Sequence, residues 1–194
     1  STLSSSSAAS DVYKRQGLIC DGESISSIYE SVIKFFENEN YFVNSFCQKL
    51  QGEASLIGSQ LADSIIKTIN KDKSLSIFGG ETTVTVKNSY GKGGRSQELA
   101  LSFAISMNKS YNKKKPWAIL SAGTDGRDGP TDAAGAIITS NSKINISDAI
   151  ISLHKNDSYN FLNKKESKII FEVEILNLKI SFLKYQNIAR TLPS

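Results

Sequence analysis

The stretch "PWAILSAGTDGRDGPTDAAGA", residues 116–136, joins a short apolar run to a loop crowded with acidic and turn-forming residues. The run at 117–122 is almost wholly apolar, which is typical of a β-strand covered on both faces. Residues 121–136 then contain three aspartates and four glycines. This composition at the end of a buried strand indicates either a surface loop or a functional site.

Helical patterns recur on both sides of this stretch. The spacing of apolar residues and the presence of capping residues predict five helices, at residues 24–36, 52–70, 96–107, 145–153 and 156–165. Ser24 and Ser96 are the predicted N-caps of the first and third helices, because a serine hydroxyl can accept a hydrogen bond from the first turn.

Extended segments alternate with these helices. Runs of β-branched and aromatic residues predict further strands at 41–46, 75–78 and 82–86. Gly79, Gly80 and Glu81 separate the last two, and we predict a tight junction there. The alternation predicts an α/β fold, a layered domain with a mixed β-sheet flanked by helices. Sheets of this kind bind ligands at the carboxyl ends of their strands.

The pattern becomes irregular after about residue 165. Phe171, Val173 and Ile175 have one parity along the chain, whereas Leu176 and Leu178 have the other. Because a shift of one residue exchanges the two faces of a strand, this segment requires a bulge, a turn or an altered sequence.

Composition and charge exclude several classes of protein. The net charge of the 194 residues is +4, and the lysines form only one short run, at 112–115, so nucleic acid is a weak candidate partner. Cys20 and Cys47 have neither disulfide-framework nor zinc-site spacing, which favours a reduced, cytoplasmic setting. No apolar window is long enough to cross a membrane. Residues 1–16 are rich in serine and predicted to be disordered, either as an artefactual leader or as a biological linker.

The segment "GGETTV", residues 79–84, is the first candidate site. Glycines let a backbone approach a ligand, and Glu81 and Thr82 add a carboxylate and a hydroxyl at the same corner. A hairpin turn is the alternative interpretation.

The segment "GKGGRSQE", residues 91–98, is the second candidate. Amide groups at the start of a helix attract anions, and Arg95 can bind a phosphate or carboxylate in a two-pronged contact. The chain has neither a Walker motif nor a dinucleotide fingerprint, and an ordinary connection stays open as the alternative.

The acidic loop is the third candidate. Asp125, Asp128 and Asp132 can hold Mg²⁺, which binds a few carboxylates together with phosphate oxygens. Asp125 can also accept a proton from a substrate hydroxyl during phosphoryl transfer. The alternative is an Asp-Gly turn whose aspartates cap their own backbone. His154, the only histidine, is predicted to be a surface or capping residue.

These segments, in this order, resemble the C-terminal MOFRL domain of the class II glycerate 2-kinases, a family often labelled hydroxypyruvate reductase. "LQGEAS" (50–55) and "NDSYNF" (156–161) match as well, so the resemblance covers residues 24–165. It implies ATP-dependent phosphorylation of D-glycerate to 2-phosphoglycerate, with Mg²⁺ or another divalent cation, in a cleft between two α/β domains. The absence of a nicotinamide fingerprint argues against the reductase label.

The resemblance also implies roles for individual residues. Arg95 falls on the arginine of a GGRNQE motif and is the first candidate for stabilising the transferred phosphoryl group, with Asp125 as the second catalytic candidate. Asp125 and Asp128 are the candidate metal ligands. The candidate substrate- or nucleotide-binding residues are Glu81, Thr82, Gly94, Gln97, Glu98, Thr124 and Asp132.

Three departures from the family pattern modify these expectations. The chain has about half of the family's length, so we expect residues 17–70 to be the end of an N-terminal domain that is otherwise missing, and 71–194 to be the MOFRL domain. Ser96 replaces the asparagine of the motif. "FEVEIL", residues 171–176, replaces a loop rich in glycine and threonine.

We expect turnover to depend on the missing N-terminal domain, so that this chain is not active alone. Two alternatives to such a portion of a kinase stay open. The chain can be a non-catalytic module that binds an anion or nucleotide through the helix start near Arg95, or a truncated fragment without a stable fold. Association of several copies into a homo-oligomer stays open.

Overall fold

The computed structural model describes residues 23–68, 73–87, 91–111, 116–164 and 168–169. In these ranges the chain forms, in order, α1 Glu23–Asn38, β1 Phe42–Glu53, α2 Ala54–Thr68, β2 Ser74–Thr83, α3 Arg95–Ser110, β3 Ala118–Ala122, β4 Gly135–Thr139, α4 Ile146–His154, α5 Ser158–Lys164 and β5 Lys168–Ile169.

The described residues form two compact units. The first contains residues 23–52, 68 and 73–81, and the second contains residues 53–67 and those from Thr82 onward. The predicted boundary between residues 70 and 71 stays a prediction.

Strands β1 and β2 form the sheet of the first unit. The backbone N–H of Phe42 donates to the Lys73 carbonyl over 2.9 Å at one end, and Gly80 lies against Leu50 at the other. The two strands therefore run in the same direction, and α2 supplies the crossover that parallel strands need.

The predicted junction at residues 79–81 is wrong, because β2 continues through it to Thr83. Gly80 has a φ of +150°, and a Cβ at this position would overlap the backbone of Leu50. The glycine permits a close approach between two paired strands instead of a turn. Of the second predicted segment, 82–86, only the first two residues belong to the strand.

The second unit contains an antiparallel sheet in the order β3-β4-β5. Ala118 lies opposite Thr139 and Ala122 opposite Gly135, so β3 and β4 pair along their whole length. Helices α3, α4 and α5 pack with this sheet around a core of Ala100, Leu101, Ala104, Ile105, Ala136, Ile138, Ala149, Phe161 and Leu162. The chain thus has a parallel and an antiparallel sheet with helices, and the predicted mixed α/β class is confirmed.

Strand β3 was predicted to be covered on both faces, and this prediction is wrong. Its side chains alternate, with Ala118, Leu120 and Ala122 exposed and Ile119 and Ser121 half-buried. Leu120 exposes 40% of its surface. Its partner β4 was not predicted, because five residues after a glycine-rich loop are too few to show a clear strand pattern of apolar residues.

Four predicted helices are confirmed as α1, α3, α4 and α5. The predicted N-cap at Ser24 is wrong, because α1 already begins at Glu23. The remaining predicted helix, 52–70, is α2, which begins only at Ala54. Gly52, at a φ of +116°, and Glu53 belong to the end of β1. The segment "FEVEIL" and the strand predicted after it lie outside the described residues. In the described part of the chain, no helix has the length and apolar character needed to cross a membrane.

Replacement of Gly58 by alanine should lower the free energy of unfolding by about 2 kcal/mol, the usual cost of overpacking. Gly58 is the point where α2 touches α3, and a Cβ there would overlap the Leu99 carbonyl oxygen. Urea unfolding checks this expectation, with Gln60→Ala, at an exposed position of the same helix, as the control. Equal stability of Gly58→Ala and the parent would contradict it.

Candidate functional site

The start of α3 is capped by a side chain that is distant in sequence. The backbone N–H groups of Ser96 and Gln97 donate to Oδ1 and Oδ2 of Asp128 over 2.9 and 2.8 Å. Asp128 is only 2% exposed. A carboxylate at this position satisfies two of the free amides of the first turn and complements the positive end of the helix dipole.

The predicted N-cap at Ser96 is wrong. Gly94 is the N-cap residue, it makes no side-chain cap hydrogen bond, and Ser96 lies inside the first turn. The capping oxygen atoms come from the acidic loop, 31 to 32 residues further along the chain.

The glycines of "GKGG" are packed tightly against other loops. A Cβ on Gly94 would overlap the carboxylate of Asp128, and a Cβ on Gly93 would overlap the Ser158 hydroxyl. Gly129, at a φ of +62°, touches the carbonyl of Gly93 in turn. The glycines of this loop therefore permit its close contact with the acidic loop and with the start of α5, and ligand binding by Gly94 stays a prediction.

Gln97 connects the same helix to the acidic loop a second time. Its Nε2 donates to the Thr131 hydroxyl over 3.1 Å, and that hydroxyl donates to the Asp128 carbonyl over 2.7 Å. Gln97 is almost completely buried. The loop is consequently held on α3 by side chains from both partners, and a ligand-binding role for Gln97 stays a prediction.

The three aspartates of the loop have three different partners. Asp125 is exposed, and its Oδ1 accepts the backbone N–H of Arg127 over 3.2 Å, as in a self-capped turn. Asp132 accepts the Tyr159 hydroxyl over 2.5 Å. Within the described ranges, no group of three or more His, Cys, Asp or Glu side chains is arranged to hold a metal ion. Metal binding by Asp125 and Asp128 stays a prediction.

Lys92 and Tyr159 join the glycine loop to α5. The Lys92 backbone N–H donates to Oδ1 of Asp157 over 2.9 Å, and the Tyr159 N–H donates to the Lys92 carbonyl over 2.9 Å. The Lys92 ammonium lies 4.5 Å from the centre of the Tyr159 ring, within cation-π range. Neither Lys92 nor Tyr159 was a predicted site residue, although "NDSYNF", which contains Tyr159, is one of the motifs shared with the kinase family.

Glu98 is buried one turn into α3. It is 2% exposed, and its Oε1 accepts Nδ2 of Asn156 over 3.0 Å. Burial raises the pKa of Glu98 above its ordinary value of 4.5, and the charges of Glu53 and Asp128 add to this effect. The Asn156 hydrogen bond and the Lys87 charge act in the opposite direction and are outweighed.

Replacement of Glu98 by glutamine should remove a pH-dependent loss of stability. Because the folded chain holds the Glu98 proton more tightly than the unfolded chain, the stability from this group is fully present below about pH 4.5 and is lost as the pH rises through the raised folded value. Relative to the parent, Glu98→Gln should therefore gain stability as the pH increases. Urea unfolding at a series of pH values measures this difference, and a difference independent of pH would contradict the prediction.

The structure brings only part of the predicted site together. Gly94, Gln97 and Asp128 meet at the start of α3, where the half-buried Arg95 is the first helical residue. Besides Asp125, Asp132 and Glu98, whose partners are described above, the candidates include Thr124, exposed in the loop after β3, Thr82, buried near the end of β2, and Glu81, exposed in the first unit.

The region that contains these residues is similar in sequence to known proteins. The sequence pattern described as "MOFRL family" matches residues 74–178. The D-glycerate 2-kinase of Thermotoga maritima is 44% identical over 131 residues, which are 62% of this chain and 30% of that protein. The glycerate 2-kinase of Picrophilus torridus is 42% identical over 116 residues, 58% of this chain and 26% of its own length.

A solved structure supports the same relationship. The crystal structure of glycerate kinase from Thermotoga maritima superposes with a TM-score of 0.63 at 30% identity, over 87% of this chain and 47% of that one. The chain spans less than a third of the length of the curated relatives named above. The family pattern covers more than half of the chain, and the chain belongs to the MOFRL family, with a domain like that of the glycerate kinases.

Proposed function

We propose that this chain is the C-terminal portion of a glycerate 2-kinase, which transfers a phosphoryl group from ATP to the 2-hydroxyl of D-glycerate. The observation that carries the proposal is the position of Arg95 at a helix start that Asp128 fixes with two hydrogen bonds. This helix start lies within the region shared with the glycerate kinases.

Arg95 supplies the charge in this proposal. Phosphoryl transfer depends mainly on positioning and on stabilising the charge of the phosphoryl oxygens. An arginine presents planar donors that match two phosphoryl oxygens at once. Asp128 positions Arg95 indirectly, because it holds the backbone of the next two residues.

Asp125 is the better placed of the two candidate metal ligands. Mg²⁺ usually takes one or two carboxylates and completes its coordination with water and substrate phosphates. Asp125 is exposed, whereas both oxygens of Asp128 already accept backbone hydrogen bonds. When bound, the cation neutralises charge on the phosphates. In the proposal, Asp125 holds it or accepts the proton of the substrate hydroxyl.

Turnover should require a second domain. The curated relatives are more than three times as long as the part that this chain matches. Loss of half of a positioning site removes most of the rate, because catalysis of this kind depends on holding both reactants. We therefore propose that the N-terminal domain of the kinase family is the partner of this chain.

A stand-alone anion-binding module is less well supported. That function would use the free amides at the start of α3, and Asp128 occupies two of them. An external anion would have to displace this carboxylate.

A complementation assay tests the proposed function. The chain is incubated with ATP, Mg²⁺ and D-glycerate, alone and together with the separately made N-terminal domain of the Thermotoga maritima relative. We expect ADP and 2-phosphoglycerate in equal amounts, and only in the mixture. Formation of ADP without phosphoglycerate would refute the proposal. The absence of any reaction would also refute it, provided that cooperative unfolding shows both parts to be folded.

A further inference from the structure

A cavity of about 200 Å³ lies on the side of α3 where Glu98 is buried. All of its lining residues belong to the second unit. Carboxylates and hydroxyls line one part, and the side chains of Ile105, Ile150 and Leu153 line another. The volume is below the range of pockets for drug-sized ligands, so the cavity suits a smaller molecule.

We propose that this cavity binds a small uncharged compound with vicinal hydroxyl groups, a polyol or a monosaccharide, through hydrogen bonds from its hydroxyls to the carboxylates of Glu53 and Glu98. The apolar wall provides a surface for the C–H groups of such a compound. The proposed binding needs neither a nucleotide nor a second domain, and it gives Glu98 a role different from the substrate or nucleotide binding expected from the family resemblance.

Glu53 is held in place by the segment after β2. Its two carboxylate oxygens accept the Thr85 backbone N–H over 3.2 and 3.1 Å, and Oε2 also accepts the Thr85 hydroxyl over 2.9 Å. A carboxylate has about four acceptor positions, so Glu53 keeps capacity for a ligand hydroxyl. Its orientation is fixed before any ligand arrives, which reduces the entropy lost on binding.

Glu98 is the second acceptor and comes from a different element. Its Oε1 accepts Asn156, whereas among the described residues the structure gives Oε2 no hydrogen bond. The side chain is 98% buried and lines the cavity. Among the described residues, the only buried side-chain polar atom without a hydrogen-bond partner is the Ser158 hydroxyl, so Oε2 of Glu98 keeps contact with solvent, and a ligand hydroxyl can replace water there.

The charge of the cavity favours an uncharged ligand. Lys87 adds a positive charge, and Glu53 repels anions. Three or more metal-binding side chains do not come together anywhere in the described part, which argues against a cation site of that kind.

Saturation-transfer NMR on the whole chain tests the proposal, with erythritol and D-ribose as probes. Three comparison compounds are measured in the same way: butane-1,4-diol, which lacks vicinal hydroxyls, putrescine, which is a cation, and D-glycerate, which is an anion. We expect transfer to erythritol or ribose and at least fivefold weaker binding of the three comparison compounds. Which probe binds tighter distinguishes an open-chain polyol from a sugar.

Two variants and one control locate the binding. Glu98→Gln keeps the acceptor for Asn156 but replaces Oε2 by a donor, and should weaken binding about tenfold. Ser106→Leu fills the cavity from α3 without altering a carboxylate, and should abolish binding. Asp63→Asn changes an exposed carboxylate of α2 and should have no effect. No transfer to either probe, equal binding by Ser106→Leu, or preference for putrescine or D-glycerate would overturn the proposal.

Discussion

Replacement of Arg95 by alanine should lower phosphoglycerate formation in the complemented enzyme by about a thousandfold or more. An arginine that stabilises the charge of a transferred phosphoryl group contributes on the order of 10³ to 10⁵ in rate. The replacement leaves the cap at Ser96 and Gln97 intact, because those bonds use only backbone N–H groups and Asp128. Initial rates measure the effect.

Two further variants make this result specific. Arg95→Lys keeps the charge but loses the planar pair of donors, and should remain at least tenfold slower than the parent. Lys109→Ala removes an exposed charge near the other end of α3 and should leave the rate unchanged. A loss of less than tenfold in Arg95→Ala would show that another group stabilises the phosphoryl oxygens.

Replacement of Asp128 by alanine should lower the free energy of unfolding by about 3 kcal/mol. Two buried N–H groups of α3 would lose their acceptors, and each unsatisfied buried donor costs roughly 1 to 3 kcal/mol. Asp128→Asn keeps one carbonyl oxygen and should lose about half as much. Thermal and urea unfolding of the chain measure both values.

Asp125 provides the matched control for this change. It belongs to the same loop, but it is exposed and accepts one backbone N–H within its own turn. Asp125→Ala should therefore cost less than about 0.5 kcal/mol. Similar losses in Asp125→Ala and Asp128→Ala would contradict the assignment of Asp128 as the distant cap of α3.

Local signals in the sequence were sufficient for most helices and for the fold class. The helix predicted at 145–153 is α4, Ile146–His154, and its N-cap Asn145 accepts the Asp148 N–H as capping rules predict. Such contacts join residues within one turn, so a short window of sequence contains all the required information. The mixed α/β class followed from the same local alternation of patterns.

Contacts between distant segments could not be predicted in this way. The cap of α3 comes from Asp128, so Ser96, the local candidate, was the wrong residue. Gly80 looked like a turn residue because nothing nearby indicates that Leu50 lies against it. The cavity beside Glu98 likewise combines side chains from segments that are far apart in sequence.

The close approach of Gly94 to Asp128 restricts which residues can occupy the two positions. A Cβ at residue 94 would overlap the backbone carbonyl carbon of Asp128 as well as its carboxylate, so a shorter residue at 128 relieves only part of the overlap and removes the cap. Gly94→Ala should therefore stay harmful when Asp128 is already serine. Glycine at 94 and aspartate at 128 are thus each required for a separate reason, and neither position is expected to tolerate substitution during evolution.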